Sequence, residues 1–176
     1  MFSAGTIQGG GTPNTNETCQ LINRTGATLV KGDIVALNLD FAATAGQAMV
    51  SLDPGAFETD SSSGYIYGAA IAVTTENATR EVLVYLGPGD LADNAVGLFG
   101  KDGIFECEMN GAGAGEFLYA TNGQTYLTPV TLTEILALSN TYIGVVGYAL
   151  EATTGAQVKK ARFCGDAWKH LVGDAT

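Results

Sequence analysis

His170 is the only histidine in the chain. Any Ser/His/Asp or Cys/His nucleophile system would have to be built on it. It stands close to the C-terminus and no nucleophile-elbow pattern occurs, so it reads as a surface histidine. Thiol and imidazole ligation of a metal needs clustered spacing, such as a C-x2-C pair with a second pair nearby. Cys19, Cys107 and Cys164 are far apart, and Cys164 and His170 have no companion pair. The three cysteines read as free, mostly buried thiols in a reducing compartment. Asp90-Leu91-Ala92-Asp93 lacks the run of oxygen ligands that a calcium loop requires. Glu106 and Glu108, two apart on one strand, share a face. Paired carboxylates are the equipment of glycoside hydrolysis, but an acidic strand face turned to solvent accounts for these two. The glycines of GAGAG, residues 111 to 115, would cradle phosphate only between a strand and a helix. A β-type run, GEFLYA, follows them instead. The sequence therefore nominates no catalytic, cofactor-binding or metal-binding residue.

The composition narrows the partners. Formal net charge is −10 and pI is about 4.3, which repels phosphate backbones and argues against nucleic acid. Charged residues are only 15 %, against about 25 % in ordinary soluble proteins. A surface so poor in charge is expected to be partly covered by another chain. Hydrophobic residues reach 46 % with mean hydropathy +0.17, enough for a sizeable core. No run approaches the roughly 18 apolar residues of a membrane helix. The N-terminus lacks the basic region and apolar core of a signal peptide. Charge is uneven: 16 acids face 4 bases up to Val158, whereas 4 bases (Lys159, Lys160, Arg162, Lys169) face 2 acids beyond it. This basic end either contacts an acidic partner or folds back on its own acidic body.

The elements that must position these residues read as all-β. Residues 1–18, with GGGTPNTN at their centre, form no periodic face and are expected to be a flexible or extended arm. Strands are expected at CQLIN (19–23), 33–37 after the Lys31-Gly32-Asp33 turn, AMVSL (48–52), YIYGAAIAV (65–73), EVLVYL (81–86), GIFECEM (103–109), GEFLYA (115–120), TYLTP (125–129), YIGVVGYAL (142–150) and VKKARFC (158–164). Their length and their Gly, Pro, Asn and Asp punctuation predict a small β-barrel or β-sandwich over 19–165. Asn122-Gly123 is the strongest hairpin signal. One short helix is expected over 131–139, where Thr131 and Glu134 have capping-box spacing. Residues 166–176 read as a C-terminal tail, with a weak helical pattern around 167–172. Two anchors point to a duplication, about 19–90 and 103–165. GDIVAL (32–37) resembles GEFLYA at an offset of 83, and GAAIAVTT (68–75) resembles GYALEATT (147–154) at an offset of 79.

One stretch is more specific. NRTGATLVKGDIVAL, residues 23 to 37, resembles the start of a module common in structural proteins of tailed bacteriophages. That module reads Asn-x-Thr-Gly, a few apolar residues, Lys-Gly-Asp/Thr, then Val-Val-x-Leu. GEFLYATNGQTYLTP and YIGVVGYAL resemble its later Gly-Asp/Glu-x-Leu-Tyr segment and its closing Ile-Gly-Val-Val strand. The order agrees over Cys19 to Gly165. The resemblance implies a non-enzymatic virion protein, made in the host cytoplasm. It favours a capsid decoration (cement) protein on the outer capsid surface, binding the major capsid protein where subunits meet. Self-association is implied, as a homotrimer first and a dimer second. The alternative is a tail or head-fibre module that binds host glycan, and a carboxylate depolymerase is the third reading. Partner contacts are expected in the arm (Thr12, Pro13, Asn14) and at the basic end (Lys159, Lys160, Arg162, Trp168, Lys169). Trp168 would be the stacking residue of a glycan site.

Overall fold

The computed structural model describes residues 16–38, 68–74, 81–137 and 141–172. The protein is mainly β. In chain order its elements are β1 (Glu17–Asn23), β2 (Ile34–Asn38), β3 (Gly68–Ile71), β4 (Val82–Tyr85), β5 (Val96–Asn110), β6 (Phe117–Ala120), β7 (Leu127–Val130), α1 (Leu132–Ala137), β8 (Thr141–Ala149) and β9 (Ala156–Val172). The sheet runs β1-β3-β2-β4-β5-β7-β6-β8-β9, with further pairings of β1 to β5 and β5 to β9. Those two pairings close two five-stranded rings that share β5. The N-terminal part of β5 completes the ring β1-β3-β2-β4-β5. Its C-terminal part opens the ring β5-β7-β6-β8-β9, where β5 and β7 meet at one pair, Met109 with Leu127.

The rings match strand by strand. In each, the first strand is parallel to the third (β1 to β3, β5 to β7) and every other neighbour is antiparallel. The register matches too. Ile34 faces Val84 as Phe117 faces Tyr148. Val84 faces Gly100 as Tyr148 faces Arg162. The turns before β2 and β6 use the same bonds. Gly32 donates to the Tyr85 carbonyl at 2.9 Å, and Gly115 to that of Ala149 at 2.8 Å. The acid that follows each glycine accepts from the backbone N–H three residues earlier, Asp33 from Val30 at 2.8 Å and Glu116 from Gly113 at 2.7 Å. Gly32 and Gly115 have φ of +98° and +87°, the left-handed region that favours glycine.

The apolar patterning follows from which faces are covered. Val35, Leu37, Leu83, Tyr85, Leu21 and Phe99 pack together on one face of the first ring's strands. The alternate residues Ile34, Ala36, Val82 and Val84 lie in the other core, with Phe105, Cys107, Met109, Leu118, Leu127 and Phe163. Strands β2 and β4 are thus buried on both faces, which is why IVAL and VLVY are unbroken apolar runs. The second half of β5 has one wet face and alternates: Phe105, Cys107 and Met109 are buried, while Ile104, Glu106 and Asn110 are exposed. Where the rings join, the ring of Phe105 lies over Gly100, and a Cβ there would come within 2.7 Å of it.

Several boundaries differ from the sequence expectation. Glu17 and Thr18, assigned to the arm, are ladder residues of β1 opposite Asp102 and Gly100. Residues 96–102, absent from the expected strands, form the first half of β5. The expected tail and the weak helical pattern from residue 166 are strand through Val172, because Thr141 to Val145 of β8 supply a ladder partner. The hairpin at Asn122-Gly123 joins β6 to β7, with Gly123 at φ +71°. Thr131 and Glu134 form the reciprocal cap of α1: Glu134 N–H donates to Thr131 Oγ1 at 3.2 Å and Thr131 N–H to Glu134 Oε2 at 2.7 Å. Of the two duplication anchors, GDIVAL and GEFLYA occupy equivalent positions, β2 and β6. GAAIAVTT and GYALEATT do not, since β3 corresponds to β7 and β8 to β4. The AMVSL segment (48–52) lies outside the described residues.

Candidate functional site

The second ring turns a three-stranded face to solvent. Cross-strand partners share a face, and the ladders set four rows across β5, β9 and β8. Ile104, Arg162 and Tyr148 form one row. Glu106, Lys160 and Leu150 form the next, with Leu150 donating to the Lys160 carbonyl at 3.0 Å. Glu108 lies beside Val158, and Asn110 beside Ala156. Four large apolar residues on this face are open to water: Ile104 at 42 %, Tyr148 at 37 %, Leu150 at 39 % and Val158 at 39 %. Two ion pairs lie among them. Lys31 bonds Glu106, and this ammonium holds the Glu106 carboxyl below its usual range, first by its hydrogen bond and then by its charge. Arg162 bonds Asp102 and donates to the carbonyls of Phe163 at 2.6 Å and Gly103 at 3.2 Å. Glu151 accepts from the Lys160 N–H at 2.8 Å. Beside these pairs the four apolar side chains stand open to water.

The equivalent face of the first ring shows what such a surface does when covered. Val84, at the position of Tyr148, has no exposure. Leu86 is at the position of Leu150, donating to the Leu98 carbonyl at 3.0 Å as Leu150 does to that of Lys160. Leu86 packs against the second ring's core. Among the described residues no further ring lies over the equivalent face of the second. Helix α1 covers part of its face, where Ile135 packs with Val145, Val130, Phe117 and Tyr119. Tyr148, Leu150, Ile104 and Val158 stay beyond it.

The residues nominated by the sequence are dispersed around this face. Lys160 and Arg162 are on it. Lys159 is exposed, opposite Cys107 in register. Trp168 and Lys169 are in β9 further on, opposite Val145 and Gly144. Thr12, Pro13 and Asn14 lie outside the described residues. Ile104, Tyr148, Leu150 and Val158 were not nominated. Their signal is phase: they fall on the outward positions of strands whose other positions are already apolar, which period-2 counting alone does not flag.

Elsewhere the reactive types are held in structural settings. Burial pushes the Cys19 thiol up to about 12 and the Cys107 thiol higher still, so neither is a nucleophile at neutral pH. Glu108 accepts from Thr125 Oγ1 at 3.2 Å. GAGAG is a turn, with Gly111 and Gly115 at positive φ. A cleft of about 370 Å3 opens beside Gln20, Tyr85, Asp90 and Leu98. The Tyr85 hydroxyl there donates to the Gly89 carbonyl at 3.1 Å. Among the described residues no three His, Cys, Asp or Glu side chains cluster as metal ligands would. No helix among them is long and apolar enough to cross a membrane. No protein-family model, curated protein or solved structure matches the chain.

Proposed function

We propose that the chain is a non-enzymatic bacteriophage capsid decoration protein, which binds the outer surface of the major capsid protein shell at subunit junctions and stiffens the head. The observation that carries this reading is the outer face of β5, β9 and β8. It presents four large apolar side chains to water, where the counterparts of Tyr148 and Leu150 one ring earlier, Val84 and Leu86, are buried and half-buried. Such a face suits a broad, non-reactive protein contact. The phage-module resemblance supplies the setting. Its turn motifs fall on Gly32-Asp33 and Gly115-Glu116, where they open matching strands of the two rings. Many equivalent copies on a lattice make individually weak contacts sufficient through avidity.

The test is binding to expanded, undecorated shells of a phage that encodes the chain. The expected result is saturable binding and a higher shell-disruption temperature. Absence of binding across a range of salt concentrations refutes the reading. A glycan array run in parallel addresses the fibre reading, for which hits together with no shell binding would be the signature.

A further inference from the structure

Gln20 and Leu98 stand opposite each other on β1 and β5. With Gly87, Pro88 and Asp90 of the loop after β4 they wall a cleft of about 370 Å3 on the first ring. That volume is at the small end of ligand sites, room for one side chain or a fragment of its size. Its polar groups are mostly acceptors. The Asp90 carboxylate is exposed. The Tyr85 hydroxyl gives its proton to the Gly89 carbonyl at 3.1 Å, with the Pro88 carbonyl at 3.4 Å, and all three oxygens keep a lone pair for a further donor. Burial first, and the charge of Asp90 second, raise the Tyr85 hydroxyl above its ordinary value. The hydroxyl therefore stays protonated, and the carboxylate is close enough to act on it. The Gln20 side-chain oxygen is shut off from water and has no hydrogen-bond partner among the described residues. A turn of the terminal amide swings it toward the cleft. Leu98, 41 % exposed, supplies an apolar wall.

The second ring fills the corresponding row with a cation of its own. Gln20 pairs with Leu98 as Glu106 pairs with Lys160, so Leu98 holds the position of Lys160 and Gln20 that of Glu106. The first ring has a leucine and a neutral amide there, and brings its carboxylate, Asp90, from the loop. We propose that this cleft takes a guanidinium from outside, the head of an arginine side chain on a partner polypeptide, with the alkyl stem laid along Leu98. A guanidinium carries its N–H donors in a fixed planar fork and has no acceptor. That fork matches acceptors spread over Asp90, Tyr85, the loop carbonyls and Gln20 better than the point charge of an ammonium does. A neutral polyol brings acceptors as well as donors and leaves Asp90 without a counter-charge. The acidic body, with 16 acids against 4 bases up to Val158, draws a cation toward the site.

This inference does not rest on the capsid reading, since it holds or fails on the purified chain with no shell present. The test is amide NMR of the full chain, titrated with Nα-acetyl-arginine amide and with the citrulline analogue, which has the same shape without the charge. The arginine probe should shift the Gly87, Gly97 and Leu98 amides and the Gln20 side-chain amide, saturating at about 1–10 mM, with the citrulline probe about tenfold weaker or more. Asp90→Asn, at an exposed position, should bring the two probes to parity. Gln20→Leu, on the opposite wall, should weaken the arginine probe about threefold. Equal affinity of the two probes for the parent, shifts centred on another acidic surface, or no saturation up to about 100 mM overturns the proposal. So does an Asp90→Asn variant that still prefers arginine. Should that variant disturb the loop, unchanged arginine affinity in Gln20→Leu counts against the site on its own. Free L-arginine bound about tenfold tighter than the blocked probe would overturn the polypeptide source, because its main-chain charges are absent from an arginine within a chain.

Discussion

Tyr148 and Val84 hold the same position in the two rings, yet one is exposed and the other buried, so the same type of substitution should do opposite things. Tyr148 is 37 % and Leu150 39 % exposed. An aromatic side chain removes roughly 200 Å2 from water when fully covered, so covering the open part of Tyr148 is worth about 2 kcal/mol at ~25 cal/mol per Å2. Leu150 adds about 1 kcal/mol on the same scale. Interfaces realise only part of such sums, so about 2 kcal/mol, or ~30-fold in affinity, is the expectation for Tyr148→Ser with Leu150→Ser. Because both side chains are already wet, the melting temperature should move by no more than about 2 °C. Val84 is fully buried against the second ring. Val84→Ser leaves a cavity and a buried hydroxyl, costing about 2–4 kcal/mol and lowering the melting temperature by about 5–15 °C. The assays are calorimetry and shell binding on each variant. Unchanged shell affinity in the correctly folded Tyr148/Leu150 variant would refute the assignment of this face. Comparable melting losses in both variants would refute the claim that one ring's face is covered and the other's open.

Three further outcomes follow from local geometry. Burial raises the Asp33 carboxyl above its usual range, ahead of the lowering effect of the Val30 N–H and the raising effect of Glu108. A raised carboxyl contributes stability that is full below about pH 3.8, its unfolded value, and is lost as pH climbs through the folded value. Asp33→Asn keeps an acceptor for Val30 and removes that loss, so its melting temperature relative to the parent should rise between pH 4 and pH 7; an equal difference at both pH values counts against the burial argument. Gly100→Ala puts a methyl within 2.7 Å of the Phe105 ring, and overpacking of this kind costs about 1–3 kcal/mol, read as a lower denaturation midpoint; a neutral result would show that the ring moves freely. Cys107, with no exposure, should resist iodoacetamide in the native state at pH 8 and react on unfolding, and rapid native labelling found by peptide mass mapping would show that the second core opens locally.

Much of this fold was legible because its devices are local. The Lys31-Gly32-Asp33 and Gly115-Glu116 turns, the Asn122-Gly123 hairpin and the Thr131-Glu134 cap each announce themselves within a few residues. The first half of β5 did not. Gly97 and Gly100 interrupt its apolar pattern, and their reason is distant: Leu91 and Tyr85 crowd Gly97, and Phe105 crowds Gly100. The correspondence of strands between the two rings was hidden for a related cause. Register binds β3 to β7 and β8 to β4, while the short Gly-Ala-Thr matches of β3 with β8 reflect composition. The exposed face could not be read from the sequence, because an outward Tyr148 and a buried Val84 differ in what lies across the sheet from them.

Sharing β5 explains how a chain this poor in charge arranges both a core and an open face. Two separate barrels would each need their own closing strand and would each leave an outer surface to be made polar. Here the outer side of β2 and β4 becomes wall for the second core, so Ile34, Ala36, Val82 and Val84 add apolar burial without a further layer. The second ring carries the corresponding outer face, over part of which α1 is laid. The pair Val84 and Leu86 and the pair Tyr148 and Leu150 are thus one surface in two settings, covered by a second core in one ring and open to water in the other, and the open setting is where a partner gains most from contact.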